Sequence, residues 1–199
     1  MIATIPHRDI FGKETHAYWE NFLTKEEIKI LLALPNWHET DKAFIGEWDS
    51  SVVDPNKRES NVAWFVPTEE TSVIWEKIVN TIATVNSRFF HFDLSGCHEP
   101  AQLTLYKSCV SAHYDWHVDA GPSMGSAPRK LSMSLLLSDP DDFEGGEFQI
   151  KATSDEAITL EQKQGRAWFF PSYTLHRVAP VTKGVRRSLV LWIGGPAFR

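Results

Sequence analysis

Two side chains of metal-binding type stand one residue apart in the run His-Tyr-Asp-Trp-His-Val-Asp at 113–119: His117 and Asp119. On an extended strand the side chains at i and i+2 point to the same side, so this imidazole and this carboxylate can converge on one ion. Val118 then faces the other way. A third ligand must come from elsewhere, and His176, in the run Phe-Phe-Pro-Ser-Tyr-Thr-Leu-His-Arg-Val at 169–178, is the best candidate, at the end of a second strand entering a turn. Two neutral imidazoles and one carboxylate on one face of an octahedron leave positions open, a donor set suited to oxygen chemistry at non-haem Fe(II). Zinc could occupy the same ligands, which makes a metallohydrolase the formal competitor.

His-x-Asp alone is weak, because both residue types are common on exposed strands and loops. Its company strengthens it. Arg186 lies ahead of the apolar run Leu189-Val190-Leu191-Trp192, and a planar guanidinium heading into such a strand needs an anion, for which a carboxylate is well shaped. An ordinary salt bridge to one of the 26 acidic residues is the simpler explanation of an isolated arginine.

The elements that must position these groups can be read from the rest of the chain. With 199 residues, 42% hydrophobic and 23% charged, one well-buried domain spanning 1–199 is expected. The formal net charge of −6 offers no broad basic face to a nucleic acid. Cys97 and Cys109 form no Cys-x-x-Cys pair, which argues against a thiolate zinc site and for a reduced, cytoplasmic chain. No stretch has membrane-spanning length, and His7, Arg8 and Asp9 stand where a signal peptide would need an apolar run.

Residues 1–95 read as support. An entry strand precedes a helix starting at Lys25, signalled by the capping box Thr24/Glu27 and the staple Leu23/Ile28, and stopped by Leu34-Pro35. Asp54-Pro55-Asn56-Lys57-Arg58 reads as an exposed turn and Asn61–Val66 as a strand. A second helix over about 69–89 carries an apolar stripe of Val73, Ile78, Ile82 and Val85. Residues 96–199 read as the catalytic core. Short strands are predicted at 101–106, where alternation suggests half-burial, and at 114–119, 131–137, 147–151, 158–161, 166–170, 176–180 and 188–193. A loop at 121–128 and an acidic turn at 139–146 separate them. About eight antiparallel strands with supporting N-terminal helices suggest an α+β chain built on a jelly-roll, or double-stranded β-helix, core.

The motifs now carry a resemblance. Tyr114–Asp119, Arg129-Lys130-Leu131-Ser132, Leu137-Ser138-Asp139-Pro140, Gly145-Gly146-Glu147, Phe170-Pro171-Ser172 and the run from His176 to Arg187 resemble, in order and with matching gaps, Fe(II)/2-oxoglutarate dioxygenases of the prolyl 4-hydroxylase type, and most closely the bacterial PKHD-type hydroxylases. The resemblance spans roughly 100–196; residues 1–100 match only loosely. It implies that His117, Asp119 and His176 hold Fe(II). It also implies that Arg186 binds the far carboxylate of 2-oxoglutarate, that Ser188 adds a hydroxyl there, and that Tyr106 hydrogen-bonds the cosubstrate. Where relatives have glycines between Tyr106 and Tyr114, this chain has Lys107-Ser108-Cys109-Val110-Ser111-Ala112.

The chemistry so implied consumes O2 and 2-oxoglutarate, releases succinate and CO2, and hydroxylates a C–H, with ascorbate as a reductant for the iron. A prolyl or other residue in a peptide or protein leads as substrate; a free amino acid, small metabolite or nucleobase is the alternative, and a non-catalytic jelly-roll binding module the second. His113 reads as a surface or supporting residue, and His91 and His98 beside Cys97 as no second metal site. Trp116 and Trp192 are core aromatics or pocket walls, and the acidic turn Asp139, Asp141, Asp142, Glu144 is a solvated feature or a lure for a cationic substrate. Arg58 and Trp64 lie where a supporting segment, within 37–67, could reach over the mouth of the barrel and contact the substrate.

Overall fold

The computed structural model of the chain describes residues 14–35, 40–43, 52–120 and 128–197. The expectations for residues 1–13, for 36–39 and 44–51 within the segment before Pro67, and for the loop at 121–127 lie outside the described residues.

Local sequence accounts for the first helix. In α1 (Lys25–Ala33) the Glu27 backbone N–H donates to the Thr24 hydroxyl at 3.2 Å, and the Glu27 carboxylate accepts from the Thr24 N–H at 2.6 Å, so two otherwise orphaned donors are satisfied. Leu23 and Ile28 are buried together as the staple, and Leu31 points into the same core. Thr24→Ala is expected to lower stability by about 1 kcal/mol. An unchanged denaturation midpoint would mean that burial of Ile28 and Leu31 alone holds the helix.

The second helix, α2 (Ser72–Val85), starts later than the sequence suggests and runs into a π-helical turn at Asn86–Phe90. Its inward stripe is Ile74, Trp75, Ile78, Ile82 and Val85, while Val73 is 70% exposed. Ile74, Ile78 and Ile82 keep an i, i+4 spacing that Val73 breaks, and Trp75 stacks on Phe65 with ring centroids 5.1 Å apart, which turns this face inward.

Thirteen strands are found among the described residues. A major antiparallel sheet orders β1 (Ala17–Trp19), β11 (Ala167–Pro171), β7 (Arg129–Leu136), β13 (Val181–Gly194), β5 (Ala101–Lys107), β4 (Asn61–Phe65) and β2 (Asp41–Lys42), with β8 (Phe143–Gly145) paired to β13. A minor sheet orders β10 (Ile158–Leu160), β9 (Phe148–Lys151), β12 (Leu175–Val178), β6 (His113–His117) and β3 (Arg58–Glu59). Side chains from both sheets, among them Tyr106, Leu136, Phe148, Ile150, Phe170 and Val178, pack together between them. On its other face the major sheet buries Leu103, Met133, Phe169 and Leu191 against α1 and α2. The result is a jelly-roll with helices buttressing one sheet.

Several boundaries differ from the sequence reading. β5 is buried from Ala101 to Tyr106 rather than half-buried, because one face meets the helices and the other the space between the sheets. The acidic segment at 139–146 is a 3-10 turn, Pro140–Asp142, followed by β8. β13 begins at Val181, so Arg186 sits within a strand rather than ahead of one. His176 lies inside β12, after the turn at 172–174 rather than before one. Arg58 is in β3 and only 7% exposed, not on the exposed turn.

Candidate metal centre and anion pocket

His117 and His176 are directly opposite each other in the β6–β12 pairing, so the sheet register itself places two imidazoles side by side, with ring centroids 4.1 Å apart. Asp119 stands just past the end of β6, where its N–H and that of Ala120 both donate to the Ser172 carbonyl at 2.9 and 2.8 Å. This anchor turns the carboxylate inward: Asp119 Oδ1 is 3.7 Å from His117 Nε2 and Oδ2 is 3.5 Å from His176 Nε2. One ligand atom from each of the three lies within 4.8 Å of the others, and among the described residues no other group of three His, Cys, Asp or Glu could hold an ion.

Both imidazoles are oriented by the same local device. His117 Nδ1 is 2.8 Å from the Asp115 carbonyl, and His176 Nδ1 is 2.8 Å from the Thr174 carbonyl. A carbonyl only accepts, so each Nδ1 carries the proton and each Nε2 presents a lone pair to the space beside Asp119. Burial, with the neighbouring His176, pushes His117 down to about 3, so the ring is neutral and ready to ligate. Burial alone would push the Asp119 carboxyl up, but the imidazoles of His176 and His117 and the Ser132 hydroxyl hold it below the usual carboxylate range.

Ser132 Oγ donates to Asp119 Oδ2 at 2.8 Å and lies 3.0 Å from Ser172 Oγ, both serines being fully buried. The sequence signal for these two is a hydroxyl in an apolar strand run, Leu131-Ser132-Met133 in β7 and Pro171-Ser172 after Phe170. Ser132→Ala is expected to weaken metal binding roughly 10- to 100-fold, the usual effect of removing a partner that holds a ligand. Titration with Mn(II) would measure it, and unchanged affinity would show that the Ser172 carbonyl suffices. Tyr114 also escaped assignment: its ring stacks on His117 at 3.5 Å and 12°, walling one side of the centre.

Arg186 is 2% exposed, opposite Tyr106 in the β13–β5 register, with its guanidinium 5.6 Å from the Tyr106 ring centre. Its Nη1 donates to Ser188 Oγ at 3.2 Å, and its Nε is buried without a partner. No carboxylate among the described residues pairs with it, and burial pushes its guanidinium below the ordinary value. Its aliphatic stem passes Gly146, where an added Cβ would stand 2.9 Å from Arg186 Cδ at a backbone φ of +63°. Tyr106 and Ser188 line a cleft shared with the triad, and Arg186 lines another cavity that shares Ser134 and Phe148 as walls. The sequence-derived residues therefore do come together.

Others do not join them. His113 is held at the edge, near the Ser111 and Asn56 carbonyls. Cys97 packs against the helix-side core, where burial pushes its thiol up to about 11, and His98 contacts Ser95 rather than a metal partner. Trp192 lines the cleft, whereas Trp116 lies beside the Arg177 guanidinium, 4.8 Å from its ring centre, outside the cleft. Glu144 of the acidic segment pairs with Lys183 at the surface.

Two imidazoles and one carboxylate on one face of a metal would leave positions open, the donor set suited to non-haem Fe(II). Residues 101–194 match the profile of the 2OG-Fe(II) oxygenase superfamily. A PKHD-type hydroxylase of Synechococcus sp. (strain CC9605) is 32% identical over 127 residues, covering 64% of this chain and 56% of the relative. The chain spans about half the length of the curated relatives it matches. In fold it is similar to a Pseudomonas putida prolyl-4-hydroxylase (TM-score 0.71, 18% identity, 93% of this chain and 95% of that one). It is also similar to a Trichoplax adhaerens prolyl hydroxylase in complex with a hypoxia inducible factor oxygen degradation domain peptide fragment (TM-score 0.73, 17% identity, 92% and 84%). The chain thus resembles 2OG-Fe(II) oxygenases and PKHD-type hydroxylases in sequence, and prolyl hydroxylases in fold. Among the described residues no helix is long and apolar enough to cross a membrane.

Proposed function

We propose that this chain is an Fe(II)- and 2-oxoglutarate-dependent dioxygenase that hydroxylates a C–H of a residue, foremost a prolyl residue, in a peptide or protein. In this reading His117, Asp119 and His176 hold the iron, Arg186 and Ser188 bind the far carboxylate of 2-oxoglutarate, and the Tyr106 phenol hydrogen-bonds the same cosubstrate. The observation that carries it is Arg186: a guanidinium buried beside the triad with only a serine hydroxyl and a tyrosine ring for company needs a diffusible anion. A zinc hydrolase would leave that cation unexplained.

Iron with 2-oxoglutarate supplies the oxidising chemistry, consuming O2 and releasing succinate and CO2 as the substrate gains a hydroxyl. The chain's own contribution is placement. The Asp115 and Thr174 carbonyls fix both imidazoles, Ser132 fixes the carboxylate, and Phe148, Phe170 and Val178 line the cleft with apolar surface that limits water. Ascorbate enters only as a reductant that keeps the iron ferrous. The fold neighbour from Trichoplax, in complex with a peptide fragment, supports a peptide acceptor, and the PKHD-type relatives support a hydroxylation.

Anaerobic addition of Fe(II) and 2-oxoglutarate tests the reading. A weak visible charge-transfer band is expected only when both are present, and no band at saturating concentrations of each would overturn it.

A further inference from the structure

A second buried arginine borders the triad. Arg58 in β3 lines the same cleft and is paired in register with Tyr114. Its guanidinium lies 4.5 Å from the centre of the Tyr114 ring, the ring that stacks on His117. Its Nε donates to Ser60 Oγ at 2.9 Å and its Nη2 to Gln102 Oε1 at 2.6 Å. Both acceptors are neutral. Of the acidic residues on β3 and on the β6 strand paired with it, Glu59 is committed to Lys42 and Asp115 to Lys57. Arg58 therefore holds a positive charge at 7% exposure with no carboxylate partner among the described residues.

The charges of the filled site sharpen the point, and here the argument rests on the oxygenase reading. Fe(II) and Arg186 together carry three positive charges, which Asp119 and the 2-oxoglutarate dianion cancel. Arg129 is already neutralised by the carboxylate of Glu99. Among the described residues nothing compensates Arg58, a cation in a cleft of low dielectric, a costly arrangement unless a further anion arrives. Gln102 is arranged to help receive one. Its Oε1 accepts from Arg58 and, at 3.4 Å, from the Thr104 hydroxyl, which turns the amide nitrogen away with its hydrogens free to donate. Directly across the β4–β5 pair from Gln102 stands Trp64, 55% exposed on the same face, a flat apolar platform beside the opening.

We propose that Arg58, with Gln102, binds a carboxylate of the substrate, so that the hydroxylated carbon is carried on an anionic acceptor lying between this clamp and the metal. The carboxylate can be the terminal one of an amino acid or peptide, or the side chain of an acidic residue next to the hydroxylated one.

Calorimetric titration of the anaerobic Fe(II)-loaded, 2-oxoglutarate-saturated protein distinguishes these sources. The first probe pair is N-acetyl-L-proline and N-acetyl-L-prolinamide; the second is acetyl-Pro-Glu-amide and acetyl-Pro-Gln-amide. The acid of at least one pair is expected to bind tenfold or more tightly than its neutral twin, and the pair that shows the preference identifies the source. Arg58→Gln should abolish that preference, Arg58→Lys should retain part of it, and both should bind 2-oxoglutarate within about threefold of the parent, which also reports an intact fold. No acid preference in either pair, or one that survives Arg58→Gln, overturns the proposal. So does a tenfold loss of 2-oxoglutarate affinity in Arg58→Gln that Arg58→Lys restores, since the arginine would then serve the cosubstrate. Failure of the parent protein to bind 2-oxoglutarate at all is a different result, which removes the oxygenase reading itself.

Discussion

Arg186→Met is expected to raise the Kd for 2-oxoglutarate by a factor of about 30 to several thousand, the effect of ~2–5 kcal/mol that follows from truncating one member of a buried charge pair. The same substitution should leave thermal stability in the absence of cosubstrate unchanged or higher. Without its anion, Arg186 is a cation desolvated beside Tyr106 and Ser188, with an Nε that finds no acceptor. Methionine fills much of the same volume without that desolvation cost, and exchanging buried charge for apolar side chains is often neutral or stabilising. The two effects thus have opposite signs, which separates an anion-binding residue from a merely structural one. Calorimetry with 2-oxoglutarate on metal-loaded protein and a thermal melt of the apo form measure them. A structural role would instead give a lower melting temperature and an unaltered Kd.

Asp119→Asn is the second large effect. It should weaken divalent metal binding by roughly a hundredfold or more, beyond what loss of a supporting partner costs, and abolish turnover. Asparagine preserves the shape and can still accept from the Ser132 hydroxyl, so the anchor to the Ser172 carbonyl and the fold should survive. What it removes is the negative charge between His117 Nε2 and His176 Nε2. Metal content after dialysis, with circular dichroism as the check on folding, provides the measurement; full occupancy by iron in the variant would mean that the carboxylate is not a ligand.

Local chemistry made parts of this architecture readable from residue order alone. The Thr24/Glu27 box and Leu34-Pro35 bound α1 because capping and proline geometry act within a few residues. The pairing of His117 with Asp119 was legible for the same reason, although Asp119 turns out to be oriented by the Ser172 carbonyl from a distant turn rather than by strand alternation. What stayed hidden depends on register between segments far apart in sequence. Sequence places Arg58 near the mouth of the barrel, but its burial against Tyr114 follows only once β3 is laid on β6, and Ser132 reads as strand filler until Asp119 arrives beside it. Val73 and Ile74 likewise compete for one helix face, and only the packing of Trp75 on Phe65 decides between them.

If Arg186 holds the cosubstrate as proposed, the bare backbone at Gly146 ties the loop between β8 and β9 to cosubstrate selection. A methyl group there would strain the chain at φ +63° and push on the Arg186 stem, displacing the guanidinium from its seat while leaving every metal ligand untouched. In that reading, variation in this loop would retune which dicarboxylic acid fits without any change at His117, Asp119 or His176.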